Sequence, residues 1–223
     1  MQKLTILLLM AVVMISCEEN KDLNVTLNES GTLKVKVLDE AGEGIGDAKV
    51  EVSTVIGASG QVVFEDSTNS SGVCETGKLL QDEYVCRVTA QVDKRVYRTE
   101  AYTQVIAGEN KTVEAYPIAN SGKITATVVN MEEEPLEDVN VAVLPFYHEA
   151  NLTYEEMVEK RWYNSSTDAN GDVTFTKVPA FEQYGRSYSF FVYYDEENYD
   201  YPFDDVNLLS GEHKEITLQV DLQ

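Results

Sequence analysis

Histidine, cysteine and positive charge are scarce in this 223-residue chain. It holds two histidines, His148 and His213, which leaves little for imidazole catalysis or a zinc site, and no G-x-S-x-G elbow accompanies them. Its three cysteines form no C-x-x-C pair, which disfavours thiol-redox chemistry. Seventeen Lys and Arg stand against 39 acids, a net charge of −22, and the bases form no cluster. Nucleic-acid binding and electrostatic docking on anionic lipid both need such clusters, so both are excluded as expectations. No apolar run reaches membrane-spanning length; the longest, residues 4–15, is about a dozen residues where about 20 are needed. With 43% hydrophobic residues, the composition argues against disorder and for a packed core.

What is there begins with a leader. Lys3 supplies a positive n-region, residues 4–15 an apolar h-region, and Met14-Ile15-Ser16-Cys17 closes it. This tetrapeptide resembles the lipobox of bacterial lipoproteins, although Met14 stands where Leu is usual. The resemblance implies cleavage before Cys17 and lipidation of its thiol. Glu18, Glu19, Lys21 and Asp22 follow at once. They resemble the export signal of Bacteroidota-type surface lipoproteins, which implies an outer-membrane protein facing the cell exterior; a periplasm-facing lipoprotein with an acidic linker is the alternative. The expected organisation is therefore residues 1–16 as signal peptide and 17–30 as an acidic flexible tether.

The remainder is a repeat. GTLKVKVLDEAGEGIGDAKVEV from Gly31 aligns without a gap on GKITATVVNMEEEPLEDVNVAV from Gly122. Three further blocks follow in the same order: TNSSGVCETGKL with TDANGDVTFTKV, YVCRVTA with YSFFVYY, and AGENKTV with SGEHKEI. Leu33, Val35 and Val37 alternate with Lys34 and Lys36, as Ile124, Ala126 and Val128 do with Thr125 and Thr127, which is strand periodicity with one apolar face. About seven short strands per unit predict an all-β chain of two tandem Ig-like or transthyretin-like sandwiches, residues 31–119 and 120–223. The second unit carries a long insert in which about 151–162 reads as a helix, with Thr153 and Glu156 spaced as a capping box. Leu152, Met157 and Trp162 would pack it back onto a sheet, as a stabilising cover or as a functional decoration.

The blocks resemble the carboxypeptidase regulatory-like domain, a transthyretin-like (prealbumin-like) sandwich. Asp39, Gly42, Ile45, Ala48 and Val50 carry the likeness in the first unit, and Pro135, Leu136, Val139, Thr167, Asp168 and Gly171 in the second. Gly44 stands where Pro is common. These are turn and core positions, so the resemblance implies fold and an accessory, structural or adhesive role rather than an activity.

Candidate sites are few. Cys74 and Cys86 align with core positions Val173 and Phe190, and are either a disulfide formed after export or two buried thiols. Residues 193–205, YYDEENYDYPFDD, are dense in tyrosine and acid. Tyr194, Tyr199, Tyr201 and Asp204 could form a glycan platform, the acids a calcium site, or the whole a strand, an acidic turn and a strand. Asp66-Ser67-Thr68 resembles a bacterial O-glycosylation acceptor with Ser67 as the modified residue. Lys34 and Lys36 sit at outward parity, away from where a core isopeptide crosslink would form. No metal or other cofactor is called for. The expected work is contact at the cell envelope, non-enzymatic, with a surface protein or a glycan; the alternatives are a glycan-binding accessory lipoprotein of an uptake system and a pilus or fimbrial subunit.

Overall fold

Alternation in sequence becomes alternation in burial. In β1 (Ser30–Val37) Leu33, Val35 and Val37 are buried, while Lys34 and Lys36 face outward. The computed structural model describes residues 29–55, 60–145, 152–181, 187–202 and 206–222. The leader, Cys17, His148 and Asp204 lie outside these. β1 sits between β4 (Val73–Leu80), antiparallel, and β7 (Asn110–Ala115), parallel, in a three-stranded sheet. Facing it is a four-stranded sheet ordered β3-β2-β5-β6, from β2 (Lys49–Thr54), β3 (Val62–Ser67), β5 (Asp82–Val92) and β6 (Arg95–Val105). Val50, Val52, Tyr84, Cys86, Val88 and Ala90 meet the β1 side chains in one core. Strand β1 begins at Ser30, and the Glu29 carbonyl already accepts the Gln81 N–H at 2.9 Å.

A 3-10 turn at Pro117–Ala119 leads into the second sandwich, which repeats the topology. β8 (Ser121–Val129) is flanked by β11 (Asp172–Pro179) and by β14 (His213–Gln219), again antiparallel and parallel. The facing sheet runs β10-β9-β12-β13, from β9 (Asn140–Pro145), β10 (Tyr163–Ser166), β12 (Tyr188–Tyr193) and the short β13 (Tyr199–Asp200). The all-β, tandem-sandwich architecture read from the repeat is therefore the one observed.

The two halves share their turn chemistry. Asp39 accepts the Ala41 and Glu43 N–H groups, and Asn130 those of Glu132 and Glu134. Asn69 takes Ser71 and Val73 as Asp168 takes Asn170 and Asp172. Asp47 and Asp138 both sit at positive φ, 57° and 58°. Gly72 and Gly171, at φ 73° and 75°, admit no side chain, since a Cβ would lie 2.4 and 2.6 Å from the Val37 and Val128 carbonyl oxygens. Side chains that satisfy backbone donors and positions restricted to small residues are what make these turns reproducible.

The helix α1 (Tyr154–Lys160) has the expected capping box: Thr153 accepts the Glu156 N–H and Glu156 accepts that of Thr153, at 3.3 and 2.9 Å. It stops earlier than the sequence suggests. Arg161 turns extended at ψ 137°, and the Trp162 N–H donates to the Val143 carbonyl at 2.8 Å. Trp162 thus leaves the helix for the main core, against Phe181 and Tyr188. Met157 and Leu152 instead join a second cluster on the outer face of β9 and β12, with Ala142, Leu144, Phe191 and Tyr193. That is why every residue of β12 is buried: its inner face fills the sandwich and its outer face lies under the helix. Among the described residues, no helix is long and apolar enough to cross a membrane.

Candidate functional site

The tyrosine-rich stretch splits between core and surface. Tyr193 is buried; its hydroxyl accepts from Arg161 Nη1 at 2.7 Å and donates to Asn164 Oδ1 at 3.0 Å. Its ring stacks on Phe191 at 4.9 Å, and Tyr154 of the helix meets both edge-on. Tyr199 sits at the rim, 42% exposed, with its ring 5.6 Å from Phe191 and 5.8 Å from Tyr154. Tyr194 is equally exposed, whereas Tyr201 packs against the cluster under the helix. Two of the three candidate tyrosines are therefore available as an aromatic surface on a rigid base, and the third is partly spent on packing.

The acids beside them have structural work. Asp195 Oδ1 accepts the Glu197 and Asn198 N–H groups, both at 3.0 Å, closing the turn between β12 and β13. Asp200 accepts the Tyr201 N–H at 2.7 Å and the Asp221 N–H at 3.0 Å, tying the chain's last segment to the rim. A carboxylate occupied by backbone amides is a poor start for a calcium site. No group of three or more His, Cys, Asp or Glu side chains among the described residues could hold a metal.

The remaining candidates separate. Cys74 on β4 and Cys86 on β5 share the first core from opposite sheets, and both are free thiols. Burial pushes both thiols up to about 11, so they stay protonated and unreactive at neutral pH. Ser67 is exposed at the end of β3, while the neighbouring Thr68 hydroxyl is buried and bonded. His213 is exposed, its Nε2 2.9 Å from Thr125 Oγ1.

A feature invisible in the sequence joins the sandwiches. The bulge in β11 puts Lys177 at φ 55°, and its carbonyl accepts two phenols: Tyr97 of β6 at 2.9 Å and Tyr163 of β10 at 2.6 Å. Burial, then hydrogen bonding with Tyr97, pushes the Tyr163 phenol well above its usual range and keeps it a donor. The Arg95 guanidinium lies 5.1 Å over the Tyr163 ring. Lys177 Nζ pairs with Glu40 of the first unit, and Asn120 Nδ2 donates to the Arg98 carbonyl at 2.7 Å. Tyr97 and Tyr163 are single, non-repeated positions, and no periodicity points to them.

No protein-family model and no curated protein matches the chain. Among solved structures it is similar to the minor pilin GBS52 of Streptococcus agalactiae, at 12% identity and TM-score 0.44, over 86% of this chain and 95% of that one. It is similar to the major pilin subunit of Bacillus cereus at 10% identity and TM-score 0.30, over 86% and 70% of the two chains. The Bacillus anthracis TIE protein is 19% identical at TM-score 0.35; 86% of this chain is covered, but only 34% of that protein. Likenesses this distant bear on neither activity nor partner.

Proposed function

We propose that this chain is a non-enzymatic cell-envelope lipoprotein, anchored through Cys17, whose two sandwiches present a contact surface outside the outer membrane. The observation that carries the reading is the fate of the repeated polar residues. Asp39 and Asn130, Asn69 and Asp168, Thr68 and Thr167 all serve turns and buried carbonyls. What was duplicated is architecture, and architecture joined by a built interface suits a display or spacer module. Cys17 precedes both repeats in the sequence, at the end of the apolar leader, which favours an attachment role over a structural one.

Fractionation of the native host tests the anchor. Wild-type protein is expected in the outer-membrane fraction and open to added protease on intact cells, and Cys17→Ala in the soluble fraction. A Cys17→Ala protein that stays membrane-bound ends the lipoprotein reading; protection from protease on intact cells ends the outward-facing one.

A second reading, glycan binding on the aromatic rim, draws on the exposure of Tyr194 and Tyr199. A glycan-array signal lost in Tyr199→Ala but kept in Tyr201→Phe would establish it.

A further inference from the structure

Strands β6 and β7 are the edge strands of their sheets, and both line a groove of about 530 Å³ that reaches the domain junction. Its two large side chains are Tyr102 and Tyr116, 70% and 41% exposed. The rest of its apolar lining, Ala101, Ala115 and Ala119, is small. Each ring is held by a carboxylate two residues before it. The Tyr102 hydroxyl donates to Glu100 Oε2 at 3.0 Å, and the Tyr116 hydroxyl to Glu114 Oε2 at 2.8 Å. Glu100 is held in turn by Arg87 Nε, at 2.9 Å. Architecture does not account for these pairs. Register sets Glu114 opposite Lys36 and Thr217 opposite Thr127, so the second unit has Thr217 in place of Glu114 and Gln219 in place of Tyr116. Its counterpart of β6 is the two-residue β13, which offers no equivalent of Tyr102. The repeated polar residues serve turns and backbone; these tyrosines are not repeated, and their hydroxyls serve only to fix the rings. A groove at a domain interface with aromatic walls and a few polar groups is the usual form of a small-ligand site.

The lining says what kind of ligand. No Lys, Arg or His is part of it, so an anion finds no counter-charge. Its acids do not call for a cation: both Glu100 oxygens are engaged, by Arg87 and by Tyr102, and one Glu114 oxygen by Tyr116. What is open is a set of single hydrogen-bonding groups. Glu114 Oε1, Asn120 Oδ1 and the Ser210 hydroxyl make no hydrogen bond among the described residues, and all three residues line the groove. Two uncovered rings with separate polar groups around them suit a ligand that is apolar on its faces and polar at its edge. A pyranose with equatorial substituents has that form, since its axial C–H bonds make the faces and its hydroxyls ring the edge. We propose that the groove binds neutral hexopyranose units of a glycan, their C–H faces on Tyr102 and Tyr116 and their hydroxyls on Glu114, Asn120 and Ser210. The site shares a ligand class with the aromatic rim of the second unit but none of its residues.

Calorimetric titration of the full chain, in a detergent without a sugar headgroup, tests this with cellotriose and maltotriose as probes and glucuronate and lysine amide as charged comparisons. The readout needs neither Cys17 lipidation nor a cellular location, so it stands or falls apart from the lipoprotein reading. A trisaccharide is expected to bind saturably, and about tenfold more weakly in Tyr102→Ala and in Tyr116→Ala, each losing one stacking face. Tyr102→Phe and Tyr116→Phe keep the rings and are expected to stay within about threefold of wild type. Both alanine changes are at exposed rings and are expected to leave the thermal midpoint in place. Preference for cellotriose identifies a β-linked chain, preference for maltotriose an α-linked one, and equal binding the ring itself as the unit read; all three support the site. The proposal is overturned if neither trisaccharide binds at about 50 mM, well above the millimolar Kd of a weak site. It is equally overturned if glucuronate or lysine amide binds as well as a trisaccharide, if the alanine variants bind like wild type, if the phenylalanine variants bind as weakly as the alanine ones, or if Tyr199→Ala abolishes binding while Tyr102→Ala does not.

Discussion

The Thr68 hydroxyl donates to the Ile45 carbonyl at 2.7 Å and accepts the Ala48 N–H at 2.9 Å; in the second sandwich Thr167 does the same for Leu136 and Val139, at 2.6 and 3.0 Å. Both threonines are 3% exposed, so water cannot take over either bond. Thr68→Val and Thr167→Val keep the shape and remove the polar partner. Each is expected to cost about 1–3 kcal/mol, the penalty of a buried group left unsatisfied, and because the sites lie in different cores the costs should add. Urea unfolding measures this; unchanged midpoints would mean the backbone finds other partners. Asp168 offers a second comparison within the molecule, because Asn69 does its work in the first sandwich without a titrating group. Backbone hydrogen bonds, first from Asp172 and then from Asn170, hold the Asp168 carboxyl below its ordinary range. A lowered folded-state value means the contribution is fully present above the unfolded pKa, about 3.9, and is lost as pH falls through the folded one. Asp168→Asn is therefore expected to match wild type at pH 7 and to lose less stability between about pH 4 and pH 2. An identical acid-unfolding profile would show that the turn's amides are satisfied whatever the charge.

At the scale of elements, α1 is a cover. It spans only seven residues, too few to hold helix by propensity alone, so its capping box and the burial of Met157 keep it in place. Thr153→Ala is expected to cost about 1 kcal/mol through the lost cap. Met157→Ala should cost about 2–5 kcal/mol through a cavity over Phe191, with a change in the near-ultraviolet signal of the tyrosines stacked there. A near-ultraviolet spectrum and stability left unmoved by Met157→Ala would mean that the helix decorates rather than seals. Much of this was legible in the sequence. Strand alternation, the paired Asp/Asn turns, the glycines and the Thr153–Glu156 spacing are local patterns whose physics is the same wherever they occur. The end of the helix was not, because it is decided by the distant Val143 carbonyl that captures the Trp162 backbone. Nor was the doubly buried state of β12. Tyr188, Phe190 and Val192 announce an inner face, but Phe191 and Tyr193 become a second inner face only once α1 lies over them.

For the whole molecule, the decisive question is whether two sandwiches behave as one body. In the first unit the bulge of β4 uses Gly77 at φ 70°, a residue that tolerates the left-handed region; in the second, Lys177 occupies it at φ 55°. A side chain there costs roughly 1 kcal/mol or more, and what it provides is a carbonyl aimed at two phenols and an amine reaching Glu40. Around it Lys94 Nζ donates to the Glu159 carbonyl at 2.9 Å and Asn120 ties the linker to β6. Losing Tyr97 and Tyr163 hydroxyls together removes both donors to one acceptor, with the rings and their packing left intact. Each bond is worth about 1 kcal/mol, and because they share an acceptor their losses should not simply add. Calorimetry of the wild type is expected to show one cooperative transition for both sandwiches, and the Tyr97→Phe, Tyr163→Phe double variant to show a broadened or split one. Phenylalanine keeps both rings in place, including that of Tyr163 packed on the second core beside Phe175, so the later-melting component should keep its midpoint. A single, unshifted transition would mean that the sandwiches are held together by packing between β6 and β11, and that the Lys177 bonds are ornament on that contact.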